Sequence, residues 1–446
     1  MVRGILAAFI VMALCSAAQA RDERFAGIWH GTLDVGAAQL RMGLHVDAAD
    51  GELSAVMVSV DQGGARIPVS TLTIEGDTLD ARMAAVGARY AAMLEDDRLS
   101  GTFHQGGAEF PLEMARGAFE AAGPQLAPGE REVFVDAGVR LAATLRLPEG
   151  DGPHPAVLML NGSGSQDRDV TIGNHRIFAV LAEAYAQAGI ASLRLDDRGM
   201  GGSDATPPSG PRELGADASA ALAFLRVQDG INGQCVGISG HSEGGIIAFL
   251  TPADSQPDFI LMLAGQAGTL EETLLEQGEV MNRAMGAGDD VVEATRARQI
   301  AMLEALRGSP PGEAVEAVEA AFIAHGIPAE AACQQAQFWG QRYVQEAAAL
   351  DPAAAMASFD GPVTAVFAGK DLQVLPEINT GRVLAAREGL ATRTLTLDGV
   401  THLFQASETG LPNEYATAPH AMAPDALAAI AGEAAALLTM ACPSAR

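Results

Sequence analysis

The sequence predicts an α/β protein in which helices cover both faces of a mostly parallel sheet, with a small all-β domain before that sheet. Two observations predict this class. From about residue 130 onward, short apolar runs alternate with amphipathic helical patterns, an arrangement typical of parallel sheets. From about Phe25 to Met114, apolar and polar residues alternate in short runs separated by turn sequences such as Gly63-Gly64, a pattern typical of hairpins.

The all-β region, residues 21–116, is expected to form an antiparallel barrel or sandwich of roughly seven or eight strands. Leu40, Met42 and Leu44, for example, fall on one face of a predicted strand. Because no cluster of aromatic or charged side chains marks a binding face, we interpret this domain as a folding or docking unit, with substrate or surface binding as the alternative. A segment rich in Gly, Pro and Ala, residues 117–129, is the predicted linker.

The second domain, residues 130–446, begins with a predicted hairpin over residues 132–147. Strands are then predicted over 156–160, 191–195, 235–238, 259–264, 363–368 and 393–397, and helices over 177–188 and 213–228. The alternation stops between residues 269 and 357, which predicts a helical cap inserted above the sheet. The methionine and aromatic side chains of the cap are interpreted as its core or as the lining of an acyl pocket: Met281, Met285, Met302, Phe338, Trp339 and Tyr343.

Residues 1–20 have the pattern of a secretory signal peptide. Arg3 precedes an apolar stretch over residues 5–14, and Ala18-Gln19-Ala20 offers a cleavage site before charged residues. The apolar stretch is too short to span a bilayer. We therefore expect an exported protein, periplasmic or secreted, without a membrane span.

Composition and motifs exclude several function classes. A formal net charge of −28 and a single lysine, Lys370, leave no basic patch for a nucleic acid. Because neither a dinucleotide fingerprint nor a phosphate-binding loop is found, and no cluster has metal-ligand spacing, we expect no cofactor and no metal. The cysteines after the signal peptide, Cys235, Cys333 and Cys442, indicate no disulfide framework, and the sequence leaves open whether two of them pair.

The candidate nucleophile is Ser242. It lies in Gly240-His241-Ser242-Glu243-Gly244, between an apolar run that predicts a strand and a segment that predicts a helix. A strand, a tight turn and a helix are the context in which G-x-S-x-G forms a nucleophile elbow, which exposes the serine hydroxyl at the top of a parallel sheet.

A serine nucleophile needs a base and a carboxylate that orients the base. Asp371 ends Gly369-Lys370-Asp371, just after the predicted strand over residues 363–368, and Asp398 is the alternative carboxylate. His402 follows the last predicted strand and is the candidate general base, whereas His420 lies in an Ala- and Pro-rich stretch without strand context. The order Ser, Asp, His along the chain is the order expected of an α/β-hydrolase.

The oxyanion of an acyl-transfer reaction needs backbone N–H donors. We expect one from Glu243, the residue after the nucleophile, and the other from the Gly-rich loop after the first central strand, with Ser163 as the candidate donor and Gly162 as its neighbour. Asp197 and Arg198, in a second Gly-rich turn, are interpreted as residues that hold the crevice together.

Together these segments resemble the α/β-hydrolase superfamily, and within it the EstD-like serine carboxylesterases, which carry an extra amino-terminal domain. The resemblance rests on NGSGSQDRD (161–169), the Asn-His of GNHRIF (173–178), DDRGMGGS (196–203), GHSEGG (240–245), AGKDLQV (368–374) and THLFQ (401–405). It implies an α/β-hydrolase fold with a helical cap, a Ser242–His402–Asp371 triad and hydrolysis of short-to-medium acyl esters. The family is also related to dienelactone hydrolases and acyl-CoA thioesterases, some of which use a cysteine nucleophile, and serine at position 242 favours the esterases.

The expected partner is a small-molecule acyl ester. Two alternatives stay open, namely a serine peptidase, amidase or acyl thioesterase that uses the same triad, and a non-catalytic binding protein. The sequence also leaves a homodimer open and names no partner for the β domain.

Overall fold

A computed structural model describes residues 23–35, 39–49, 52–59, 65–105, 107–117, 126–204 and 210–442. The chain divides into two compact units, residues 1–123 and residues 124–446. The predicted signal peptide and residues 118–125 of the predicted linker lie outside the described residues.

In the described part of the first unit, nine strands form one antiparallel sheet, a half-barrel, where seven or eight strands were expected. The difference comes from residues 65–75, which supply two short strands, one at each edge of the sheet. The strands are β1 Gly27–Asp34, β2 Gln39–Ala49, β3 Glu52–Ser59, β4 Ala65–Pro68, β5 Thr71–Glu75, β6 Thr78–Met83, β7 Ala88–Glu95, β8 Arg98–Gln105 and β9 Ala108–Arg116, in the order β4-β3-β2-β1-β9-β8-β7-β6-β5.

Side chains fill the concave face of this sheet. Trp29 and Tyr90 are fully buried there, and both polar groups are paired. The Trp29 indole N–H donates to the Phe25 carbonyl at 2.8 Å, and the Tyr90 hydroxyl lies 3.0 Å from the Leu112 carbonyl. The alternation that predicted the strands thus places apolar residues into one core.

The described residues of the second unit form an eight-stranded, mostly parallel sheet in the order β10-β11-β15-β12-β16-β17-β18-β19. A leading antiparallel hairpin pairs with β15, and β15 through β19 run parallel with β12. This topology, with helices on both faces, confirms the predicted α/β-hydrolase fold. The strands are β10 Glu130–Asp136, β11 Arg140–Arg146, β12 His154–Leu160, β15 Ala191–Leu195, β16 Ile231–His241, β17 Ile260–Leu263, β18 Val363–Ala368 and β19 Thr392–Leu397, and a small hairpin of β13 Thr171–Ile172 and β14 His175–Arg176 precedes the first helix.

Helices outside the cap pack on the two faces of this sheet. One face is covered by α1 Ile177–Gln187 and α11 Pro424–Ala441, and the other by α2 Pro211–Arg226, α3 Glu243–Ile247 and α10 Pro376–Ala386. The last helix, α11, is long and apolar enough to cross a membrane by length and composition. It packs Ile430, Ala434 and Leu437 into the core, as a core helix of this fold does.

Residues 269–357, which are all described, form six helices between β17 and β18 with a core of their own. The helices are α4 Leu270–Ala284, α5 Asp289–Gly308, α6 Val315–Ala324, α7 Ala329–Trp339, α8 Arg342–Ala348 and α9 Pro352–Ala357. Met302 is buried in this core, whereas Met285 and Phe338 are exposed.

Side chains of α10, together with Arg387 directly after this helix, hold both ends of the cap. Where the chain leaves the sheet, the Ala267 N–H donates to Asn379 Oδ1 at 2.9 Å, and Arg382 pairs with Glu276 at 2.7 Å. Where the chain returns, the buried Arg387 guanidinium donates to the carbonyls of Met356, Phe359 and Gly361 at 2.7–2.8 Å.

A disulfide joins Cys235 of β16 to Cys442 at the end of α11, 207 residues apart. Both cysteines are buried, whereas Cys333 is free and exposed. The carboxyl-terminal helix is therefore linked covalently to the strand that carries the candidate nucleophile.

Candidate active site

Ser242 lies between the last residue of β16 and the first residue of α3, with φ 54° and ψ −120°. This is a left-handed conformation that a non-glycine residue adopts at a cost of about 1–3 kcal/mol. The neighbouring glycines allow it, because a Cβ on Gly240 would lie 2.2 Å from the Gly244 carbonyl oxygen, and one on Gly244 would lie 2.4 Å from the Asn161 carbonyl oxygen. The Ser242 N–H also donates to the Leu263 carbonyl of β17 at 2.9 Å. The half-buried serine thus occupies a tight strand–helix turn.

Asp371 and His402, from the ends of two neighbouring strands, lie in contact. His402 Nδ1 is 2.7 Å from Asp371 Oδ2, and both side chains are almost completely buried. The other carboxylate oxygen, Asp371 Oδ1, accepts the N–H groups of Gln373 and Val374 at 2.7 and 2.9 Å. An ionised carboxylate in this place makes Nδ1 the protonated nitrogen of a neutral His402 and leaves Nε2 free to accept a proton.

The two alternative residues are elsewhere. Asp398 is exposed in the turn after β19, and His420 is exposed in the segment before α11. The structure brings neither of them to the His402–Asp371 pair.

His241 connects the histidine loop to the nucleophile turn. Its Nε2 lies 2.9 Å from the His402 carbonyl oxygen, and the two imidazole rings are 4.7 Å apart. Burial, together with the neighbouring His402, lowers the pKa of His241 to about 3, so this imidazole stays neutral and donates Nε2–H to the carbonyl. Sequence reasoning missed this contact, since the residue between Gly240 and Ser242 varies freely in the motif.

The Gly-rich loop after β12 packs against the nucleophile. A Cβ placed on Gly162 would lie 3.1 Å from Ser242 Cβ and 3.6 Å from Ser242 Oγ. Ser163 follows in an exposed position, and Glu243 is buried on the other side of Ser242. Glu243 thus adjoins Ser242 along the chain, Gly162 lies close to its side chain, and Ser163 is the next residue of the loop.

Asp197 and Arg198 hold this region together through different partners. Asp197 accepts the Gln166 N–H at 2.8 Å and the Asn161 side-chain amide at 3.2 Å. Arg198 instead pairs with Asp217 of α2 at 2.6 Å. The two neighbours thus link the Gly-rich loop and a covering helix to the end of β15.

A further cluster of acids lies beside the nucleophile. Burial raises the pKa of Glu243, and its carboxyl group is hydrogen-bonded to the Tyr343 phenol of α8. Burial, with the nearby Glu243, also raises the pKa of Tyr343. Burial raises the pKa of Asp197 to about 7. Only the structure could show this cluster, because Tyr343 comes from the cap, far away in sequence. Among the described residues, no group of three or more His, Cys, Asp or Glu side chains is arranged to hold a metal ion.

Comparisons with known proteins agree with this fold. The sequence model of the family described as X-Pro dipeptidyl-peptidase (S15 family) matches residues 137–363. The chain is 28% identical over 297 residues to esterase EstD of Thermotoga maritima, which covers 65% of this chain and 64% of EstD. It is 29% identical over 175 residues to 2,6-dihydropseudooxynicotine hydrolase of Paenarthrobacter nicotinovorans, covering 38% of this chain and 42% of that enzyme.

Among solved structures, the chain is similar to the α/β-hydrolase GrgF from Penicillium sp. sh18, with 16% identity, a TM-score of 0.43 and coverage of 71% of this chain and 100% of GrgF. The chain spans just under two thirds of the length of EstD. The S15 match covers about half of the chain, from the turn between β10 and β11 to the start of β18. The chain therefore belongs to the S15 family of the α/β-hydrolase superfamily and is similar to esterase EstD.

Proposed function

We propose that this protein is a serine carboxylic ester hydrolase, with Ser242 as nucleophile, His402 as general base and Asp371 as the carboxylate that orients His402. The observation that carries the proposal is the position of Ser242 in a strained strand–helix turn, with the Gly162 backbone against it. The buried His402–Asp371 pair and the similarity to esterase EstD support it.

The reaction has two steps. Ser242 Oγ attacks the ester carbonyl carbon while its proton passes to His402 Nε2, and the N–H of Glu243 and a donor at Gly162 or Ser163 hold the oxyanion. The tetrahedral intermediate then expels the alcohol, which takes the proton from His402. Water attacks the acyl-enzyme with His402 again as base, and the acid leaves as Ser242 recovers its proton. In both steps Asp371 stabilises the imidazolium form of His402.

The test is hydrolysis of p-nitrophenyl esters from acetate to laurate by the mature protein and by Ser242→Ala. We expect Ser242→Ala to lower kcat by about four to six orders of magnitude. Ser255→Ala, at the opposite end of the sheet near the start of β17, is the matched control and should keep wild-type activity. Ester hydrolysis that survives Ser242→Ala would show that the nucleophile is assigned wrongly.

The substrate range proposed is short-to-medium acyl esters. A profile of kcat/KM against chain length that rises to laurate without a maximum would contradict this range, because a pocket of limited length stops gaining from added methylenes.

A second candidate is peptide or amide cleavage with the same residues. The description of the S15 family as X-Pro dipeptidyl-peptidase favours it. Comparing an Xaa-Pro p-nitroanilide with p-nitrophenyl butyrate on the same preparation discriminates the two, since a peptidase hydrolyses the anilide faster. Acyl thioesters are a third class for the same triad, and a thioester of matched acyl length belongs in the same comparison.

We also propose that the protein is exported after cleavage behind Ala20. The disulfide between Cys235 and Cys442 supports this, because such bonds persist in oxidising compartments. Mass spectrometry of the protein isolated from its own cells should find Arg21 at the amino terminus. A mature protein that retains residues 1–20 would contradict the proposal.

A further inference from the structure

Asp197, the second residue after β15, is bonded to both ends of the loop that packs against Ser242. One carboxylate oxygen accepts the Gln166 N–H at 2.8 Å, and the other accepts the Asn161 side-chain amide at 3.2 Å. The Asp197 N–H in turn donates to the Gln166 carbonyl at 3.0 Å. Gly162 and Ser163 lie between these two attachment points.

We propose that Asp197 is a positioning residue for the oxyanion hole, which sets where the N–H groups of Gly162 and Ser163 lie relative to Ser242. The proposal rests on the proposed esterase function. Asp197 acts through Asn161 and Gln166 and touches no reacting atom.

The chemistry of the contact requires a carboxylate. Both groups that face it are N–H donors, and an ionised carboxylate accepts with both oxygens. An asparagine would offer one acceptor and would turn a donor toward the other N–H. The loop has a further anchor at Arg168, which pairs with Asp196 at 2.6 Å, and an internal bond from the Gln166 side chain to the Ser163 carbonyl at 3.2 Å. Asn161 also donates to the Asp167 and Leu195 carbonyls at 3.4 Å, so Asp197 is one of several anchors and the one that binds both Asn161 and Gln166.

Small displacements of this part of the loop matter, because Gly162 lies close beside the nucleophile. A Cβ on Gly162 would lie 3.1 Å from Ser242 Cβ, so the missing side chain is what lets the loop backbone come this close to Ser242. The loop can move away once the Asp197 contacts are weakened. Donors that stabilise an oxyanion act over about 2.7–3.1 Å, and a misplacement of about 1 Å costs about a hundredfold in rate.

The charge state of Asp197 should therefore be visible in the pH dependence. The acidic groups that act on it are Asp196 beside it and Glu243 of α3, which is itself bonded to Tyr343 of the cap. Burial, opposed by the two hydrogen bonds, raises the pKa of Asp197 to about 7. Above that pH the ionised carboxylate accepts both bonds, and below it the carboxyl proton faces an N–H donor. Positioning is thus complete at high pH and is lost as the pH falls through about 7.

The experiment measures kcat and KM for p-nitrophenyl butyrate and Ki for a trifluoromethyl alkyl ketone, with wild type and Asp197→Asn. The ketone forms a tetrahedral adduct with serine, so its affinity reports on the oxyanion hole. We expect kcat to fall about tenfold to a hundredfold, less than the loss from deleting a donor outright, with KM changed by less than about threefold. The Ki of the ketone should rise by the same factor as kcat/KM falls. The pH profile of kcat for the variant should also lack the ionisation near neutral pH that belongs to Asp197.

Two further variants keep the outcome decisive. Asp258→Asn is the matched control, because Asp258 accepts the Val236 N–H at 2.7 Å at the opposite end of the sheet, and its loss should lower stability without changing kcat. If Asp197→Asn does not fold, Asn161→Ala serves instead, because it removes one of the two attachments. It should lower kcat and raise the Ki of the ketone by a similar factor.

The results separate this proposal from the proposed function. Suppose that hydrolysis depends on Ser242 and that Asp197→Asn keeps the kcat, the ketone affinity and the pH profile of wild type. This result would overturn the positioning role and leave the proposed esterase function intact. A fall in kcat without any change in ketone affinity would also overturn it. A wild-type protein without Ser242-dependent hydrolysis would overturn both.

Discussion

Reducing the disulfide between Cys235 and Cys442 should destabilise the second unit, and the size of the effect follows from the chain it closes. The bond joins residues 207 positions apart, so chain entropy assigns it about 5 kcal/mol at 25 °C, within the upper part of the range of about 2–5 kcal/mol seen when native disulfides are removed. With a denaturant slope of about 3 kcal/mol per molar urea, the unfolding midpoint should fall by about 1 M or more.

The assay is urea unfolding followed by tryptophan fluorescence. The chain has two tryptophans, and Trp29 lies in the first unit whereas Trp339 lies in the cap. A Trp29→Phe background therefore makes fluorescence report on the unit that contains the disulfide. Dithiothreitol should lower the midpoint of this protein and of its Cys333→Ala variant, and it should not change the double variant Cys235→Ala/Cys442→Ala. Titration of three free thiols in the mature protein shows that dithiothreitol has reduced the disulfide. If the urea midpoint of that reduced protein is unchanged, the reasoning is refuted, because the cross-link then contributes nothing to stability.

Three other changes are expected to have distinct effects. Asp371→Asn should lower kcat by about 10⁴, because the amide favours the wrong histidine tautomer, whereas Asp398→Asn on the exposed turn should leave kcat unchanged in the same ester assay. Gly162→Ala adds a methyl group 3.1 Å from Ser242 Cβ and should lower kcat with an unchanged melting temperature, while Gly381→Ala in α10, with open space around it, should raise stability by up to about 1 kcal/mol. Arg387→Met leaves three buried carbonyls without their donor and should lower the melting temperature by several degrees, as measured by calorimetry, because each unpaired group costs about 1–3 kcal/mol.

The sequence predicts the strands of the second domain well, because buried parallel strands are apolar runs with turns on either side. The predicted strands over residues 191–195 and 363–368 coincide with β15 and β18. The helix α11 was not predicted, since its alanine-rich sequence has no strong polar face. The sequence of residues 65–75 also does not indicate that this segment supplies a strand to each edge of the β-domain sheet.

The candidate site shows a similar division. Ser242, Asp371 and His402 can be selected from sequence because each lies in the turn after a predicted strand, and parallel strands end at one edge of the sheet. The contacts of His241 and Tyr343 depend on tertiary packing and leave no local pattern. The same holds for the pairing of Cys235 with Cys442, which are separated by most of the domain.

The attachment of the cap has a consequence for how proteins of this architecture diversify. Both ends of the insertion are held by Asn379, Arg382 and Arg387, which come after it in the chain and belong to the scaffold. Asn379 and Arg387 contact backbone groups, so these two attachments do not depend on the side chains of the cap, whereas Arg382 needs Glu276 of α4. A cap that keeps partners for Arg382 and Glu243 can therefore differ elsewhere in length and composition while the strands that precede Ser242, Asp371 and His402 keep their places.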